Sequence, residues 1–223
     1  MAFYQKLTHN TDLEAQGLYA IPILYNGTLG NINLETYLNF LTESYHIATQ
    51  LEPLLSVFEQ RLDPKLRHQD DNIDNIRIEK NHYAEYLLDD IRHAGGDSRQ
   101  VMQSHPGLHT ELMIAYSWDT VQRGNPLGLL GLLHVLDYTC LALAQKAASN
   151  IASKLELPDM AFTYMHKFTA DSPAIISLCR LIDQVNDPRD QQTLCHYTKA
   201  FYLLYGNIFY NLPYQTPATD CCA

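Results

Sequence analysis

Apolar residues recur along most of this chain at helical spacing, while alternating strand-like runs are scarce, so the pattern predicts an all-α fold. Thr11 to Glu14 spells T-x-x-E, a capping box expected to start a short first helix. The stretch GLYAIPILYNGTLGN, with Pro22, Gly27 and Gly30, reads as a loop holding at most one helical turn. Asn33 then caps a long helix whose apolar positions Leu34, Tyr37, Leu38, Leu41, Tyr45, Ala48, Leu51 and Leu55 keep helical spacing, with Pro53 a candidate kink. After the polar stretch DPKLRHQDDNIDN a third helix is expected over about 74 to 93, ending at Gly95-Gly96, and a fourth over about 108 to 122. The most apolar helix follows Asn125-Pro126, with Pro126 at its first position, and should be central. Pro158 opens a sixth, interrupted near Asp171-Ser172-Pro173, where Asp171 or Ser172 is the candidate cap, and Asp187-Pro188 opens the last. About seven helices result, with no internal repeat.

A length of 223 residues with 46% hydrophobic composition suits one domain over 1–223 with a sizeable core. The net charge of -10 disfavours phosphate-rich partners, so no nucleic-acid role is expected. Neither a membrane-length apolar run nor the apolar core of a signal peptide is visible, which points to the cytoplasm and to no membrane partner. Cys140, Cys179 and Cys195 read as core thiols, and a metal role for Cys221 and Cys222 is not expected.

Candidate chemistry begins with Glu79 and His82, an E-x-x-H pair. Residues i and i+3 share a helix face, so the pair can converge on one cation, and carboxylate plus imidazole suits iron or manganese. The alternative is a surface pair worth tenths of a kcal/mol. Asp137 should lie on a core face, since its helical neighbours are Leu130, Leu133 and Leu141, and it is then either paired or metal-bound, with His134 as ligand or supporting partner. Glu43 and His46 repeat the E-x-x-H spacing, and a buried hydrogen-bonded pair is the competing reading. His166 and Asp171 are five apart, off one regular face unless Ser172-Pro173 turns Asp171 inward. No nucleotide-binding, serine-hydrolase or zinc motif appears.

Taken in order, these segments resemble one family, the heme-oxygenase-like di-iron oxidases, over nearly the whole chain. Glu79 and His82 with AEYLLDDI match its E-x-x-H helix, GLLHVLDYT matches its Glu-bearing helix with Asp137 at the Glu position, and His166 with Asp171 partly matches H-x-x-x-D-x-x-H. The last His of that motif is absent, with Pro173 or Ala174 near its place. The resemblance implies a heme-oxygenase-like bundle. It also implies one iron held by Glu79, His82, His166 and Asp137, and a second, labile iron to which Asp171 and Glu43 or His46 contribute. O2 is the implied co-substrate. A small cyanobacterial group within the family is the most similar. That likeness implies a nitrile-forming, carbon-carbon-cleaving oxidation of an amino-acid-like substrate, 5,7-dibromotryptophan to 5,7-dibromoindole-3-carbonitrile. An external electron donor and a homodimer are implied partners. The 15 tyrosines, seven phenylalanines and Trp118 could line an aromatic pocket, or simply fill the core. Two other readings stay open: a ferritin-like iron protein, and a non-catalytic binding relative whose core acids and histidines are satisfied by hydrogen bonds alone.

Overall fold

A computed structural model describes residues 2–62 and 71–214. Among these the fold is helical without strands. His68, Cys221 and Cys222 lie outside the described residues. The helices are α1 (Phe3–Asn10), α2 (Asp12–Tyr19), α3 (Pro22–Thr28), α4 (Leu34–Arg61), α5 (Asn72–Lys80), α6 (Tyr83–His93), α7 (Ser98–Gln103), α8 (Leu108–Gln122), α9 (Gly128–Leu155), α10 (Thr163–His166), α11 (Pro173–Asp183) and α12 (Pro188–Asn211). A single 3-10 turn, Asp159–Phe162, leads into α10.

The expected all-α bundle is present, more finely divided than about seven helices. Local signals worked where a side chain could reach its own helix end. Asn33 accepts the Thr36 N–H at 2.8 Å to open α4, Ser172 accepts from Ile175 to open α11, and Asp187 accepts from Arg189 at 2.7 Å to open α12. At the end of α6, Gly95 takes φ +87° and the Gly96 N–H reaches back to the Ile91 carbonyl at 2.8 Å, which stops the helix as expected.

Four expectations need correcting. Thr11 does not cap forward: its hydroxyl donates back to the Leu7 carbonyl at 2.9 Å, closing α1, and Glu14 pairs instead with Lys199 at 2.8 Å. The segment after Gly17 is no loop, because Pro22 suits the first position of α3 and two turns form. Pro126 lies in the turn before α9 rather than at its first position, and the Asn125 side chain accepts the Leu127 N–H there. The helix expected over about 74 to 93 is two, α5 and α6, parted by a tight turn at Asn81 and His82.

Helix α9 is the axis of the bundle. Leu129, Leu130, Leu132, Leu133 and Val135 are all buried, so it is apolar around its whole circumference rather than along one stripe. It is long and apolar enough to cross a membrane, yet 72% of its most apolar window is buried inside the fold, as for a core helix. Helices α3, α4, α8, α11 and α12 pack on it, and α5 and α6 close the other side through α11 and α4. Gly30, at φ +73°, lets the chain after α3 run against α9: a Cβ there would meet the Asn150 carbonyl oxygen at 2.5 Å. The Asn150 side chain holds the same place by donating to the Thr28 carbonyl at 2.7 Å.

Candidate functional site

Helix α5 carries Ile73, Ile76 and Lys80 at helical spacing, and the stripe continues into α6 as Tyr83 and Leu87, all buried. A lysine therefore stands in an apolar stripe. Its side chain is 1% exposed and its ammonium makes an ion pair with Asp137 Oδ1 of α9, itself 4% exposed. The same ammonium donates to the Tyr83 hydroxyl at 3.2 Å and lies 4.6 Å from the Tyr83 ring centre and 5.7 Å from that of Phe168. Tyr83 in turn donates to Glu79 Oε1 at 2.6 Å, while Ser172 donates to Glu79 Oε2 at 2.5 Å. A chain of polar groups thus runs from half-buried Glu79 through Tyr83 and Lys80 to Asp137. Burial pushes the Asp137 carboxyl up, and the Lys80 charge beside it pulls the other way. Tyr83 is driven upward by burial and by the carboxylates of Asp137 and Glu79, so it stays a hydrogen-bond donor. Asp137 Oδ2 is buried with no hydrogen-bond partner among the described residues.

This polar end adjoins an apolar cavity. Lys80, Tyr83 and Asp137 line a narrow space together with Ser44, Tyr164 and Tyr205. Tyr164 and Tyr205 also line the larger cavity, of about 70 Å³, that α3, α4, α9 and α12 enclose with Ile23, Tyr37, Phe40, Cys140, Ala144 and Phe209. The Tyr164 hydroxyl is bonded to the Cys140 thiol, which burial pushes up to about 12, so Cys140 is an inert thiol here. Cys140 is a core thiol as expected; Cys179 and Cys195 are only half-buried.

The residues expected to hold iron are not gathered into one centre. Asp137 is in the core as its leucine neighbours predicted, and Glu79 is linked to it through the Tyr83 phenol and the Lys80 ammonium. His82 falls in the turn between α5 and α6, not on a helix face with Glu79; its side chain is 54% exposed and lies 3.4 Å from Glu85. His166, the last residue of short α10, is exposed and 3.1 Å from Asp159. Asp171 is exposed, and the Thr169 hydroxyl holds its carboxyl below the usual range. Glu43 accepts the Gly107 N–H with both oxygens at 3.1 Å, and His46 lies 3.0 Å from Ser104, so this second E-x-x-H ties α4 to the segment before α8. His134 is buried among the rings of Tyr4, Tyr138 and Tyr202, and burial lowers it to about 4. Among the described residues no group of three or more His, Cys, Asp or Glu is placed to hold a metal ion. Two irons need six or so donors with free lone pairs, and most of the donors here are spent on Lys80, Tyr83, Ser172, Gly107, Glu85 and Asp159. Asp137 Oδ2 and the ring nitrogens of His134 are left without a partner among the described residues, but His134 sits among tyrosine rings, so this donor set does not fit a di-iron cofactor.

Lys80 and Tyr83 belong to this candidate site without having been singled out from the sequence. Their signal was present in the i, i+3, i+7, i+10, i+14 series Ile73, Ile76, Lys80, Tyr83, Leu87.

No protein-family model matches this chain, and no curated protein matches it in sequence. Solved structures do match its fold. A domain of unknown function with a heme oxygenase-like fold from Shewanella denitrificans OS217 superposes with a TM-score of 0.82 at 18% identity, covering 93% of this chain and 90% of that one. The heme oxygenase of Leptospira interrogans gives a TM-score of 0.75 at 18% identity over 95% of this chain and 100% of that one. A TenA homologue from P. horikoshii OT3 gives 0.76 at 11% identity over 94% and 97%. The fold is therefore heme oxygenase-like, shared by heme oxygenases and TenA homologues alike.

Proposed function

We propose that this chain binds a small amino-acid-like or amine-bearing molecule, with an apolar, preferably aromatic body in the cavity between α3, α4, α9 and α12 and an N–H-bearing head at Asp137. The observation that carries this reading is the unpaired, buried Asp137 Oδ2 beside the Lys80 ammonium, in a narrow space that shares its Tyr164 and Tyr205 walls with the apolar cavity. An ammonium or amide N–H would satisfy that oxygen, and a ligand carboxylate could accept from Lys80. At about 70 Å³ the cavity is smaller than the roughly 300 Å³ at which ligand pockets begin, so a ligand enters by displacing a wall. Short α3 is the wall with the least to hold it.

The test is calorimetric titration with tryptophan, tryptamine, indole-3-propionate and indole. The amine-bearing pair should bind at least about tenfold more tightly than indole-3-propionate, a difference of about 1.4 kcal/mol, and Asp137→Asn should erase the preference. Equal affinity for all four ligands would overturn the assignment.

A second reading is favoured by one observation, that the Glu79 carboxylate lies near enough to Asp137 to help push its carboxyl up. It makes the bound molecule the substrate of an O2-dependent iron oxidase with an external electron donor, in its narrowest form 5,7-dibromotryptophan going to 5,7-dibromoindole-3-carbonitrile. Mass spectrometry of an aerobic incubation with ferrous iron and that substrate decides it: unchanged substrate with no nitrile removes this reading and leaves the binding one intact.

A further inference from the structure

We propose that Lys80 is this chain's built-in cation, an ammonium standing in the carboxylate-lined core position and making the site independent of metal. The inference goes beyond ligand choice, because it concerns what neutralises Asp137 and Glu79 before any ligand arrives. Three observations carry it. First, Lys80 is directed inward by its place in the stripe of Ile73 and Ile76, so its burial is set by helix periodicity rather than by a chance rotamer. Second, two of its three donors are committed. One N–H goes to Asp137 Oδ1, another to the Tyr83 hydroxyl at 3.2 Å, and the charge lies near the Tyr83 and Phe168 rings. Third, Tyr83 carries the polarisation on to Glu79 at 2.6 Å, so a single ammonium serves both carboxylates, one directly and one through a phenol.

A divalent ion at Asp137 would stand beside this ammonium in a low-dielectric interior, where like charges repel strongly. The imidazoles that could offset that repulsion, those of His82 and His166, are on the surface. Buried His134 is enclosed by the rings of Tyr4, Tyr138 and Tyr202, so the core acids, the outward His82 and His166 and the inward lysine form one consistent arrangement.

The native full-length chain is titrated anaerobically with cobalt(II), whose visible bands report ligation, and then desalted for metal analysis. No stoichiometric cobalt is expected. In parallel, Lys80→Met leaves a buried Asp137 unpaired and should lower Tm by about 10 °C, while K80M/D137N, which removes both charges, should recover most of that loss. Stoichiometric cobalt in the native chain that disappears in D137N would overturn the proposal, as would a K80M variant as stable as the native chain. If K80M does not accumulate, the native cobalt titration together with mass-spectrometric labelling decides. Lys80 should resist acetylation under native conditions while exposed lysines react, and rapid labelling of Lys80 counts against the proposal.

Discussion

Asp90 and Asp137 are both carboxylates sunk in the apolar interior, and the fold meets them in different ways. Asp90, on α6, uses both oxygens: they accept the backbone N–H groups of Thr163 and Tyr164 at 2.8 and 2.9 Å, which fastens the start of α10 to α6. Asp137, on α9, has one oxygen on Lys80 and the other unpaired. A satisfied buried acid is architecture, since each of its oxygens is answered by the chain itself. A half-satisfied one beside a cavity leaves hydrogen-bonding capacity for something that arrives later. The contrast separates an acid satisfied by the chain from one left with an unanswered oxygen, without reference to any relative.

The largest effect should come from Asp137→Ala, which strands the Lys80 charge in the core. Urea denaturation should show a loss of about 3–5 kcal/mol. A loss under 1 kcal/mol would mean that Lys80 can reach water, and the contrast with Asp90 would fail. Asp90→Ala should cost about 2–3 kcal/mol by the same measurement, from two buried N–H groups left without an acceptor. Its loss should fall on the start of α10, read as faster amide exchange at Thr163 and Tyr164.

Acid titration sharpens the comparison further. Burial raises the Asp90 carboxyl to about 6, against about 3.9 unfolded. Its stabilisation is therefore fully present below about pH 4 and lost as pH rises through about 6. His134 runs the other way. Lowered to about 4 by burial, against about 6.5 unfolded, it contributes stability present above about pH 6.5 and lost as pH falls through about 4. Each term is about 3 kcal/mol and the two oppose each other in the same window. Thermal unfolding at pH 7 and pH 4.5 should show Asp90→Asn more acid-labile than the native chain and His134→Phe less so. Parallel pH profiles for all three proteins would dismiss both assignments. The smallest effects belong to His82→Ala and His166→Ala, exposed pairs whose removal should change stability by no more than about 0.5 kcal/mol.

The pattern made the helical class legible, along with the caps at Asn33, Ser172 and Asp187, because each depends on residues within one turn. It also made the burial of Asp137 legible, since Leu130 and Leu133 fix the face it shares. The turn at Asn81 and His82 was not legible, because neither Gly nor Pro marks it and the periodicity of α5 runs on into α6 unbroken. That single turn sends His82 outward, and it separates a metal-ligand reading of Glu79 from its hydrogen-bonded place beside Tyr83. Lys80 escaped notice for a different reason. A lysine is expected at the surface, and only its tertiary partner Asp137, 57 positions along, makes its burial tolerable.

Gly30 has a wider consequence. Because no side chain fits between it and the Asn150 carbonyl, this one position fixes how closely α3 leans on α9, and so how much room the cavity has. A descendant gene that replaced Gly30 by alanine would press α3 away from α9 from outside the pocket, while every residue lining the pocket stayed as it was. The width of the cavity is in that sense set at a position outside its own wall, where one substitution changes it.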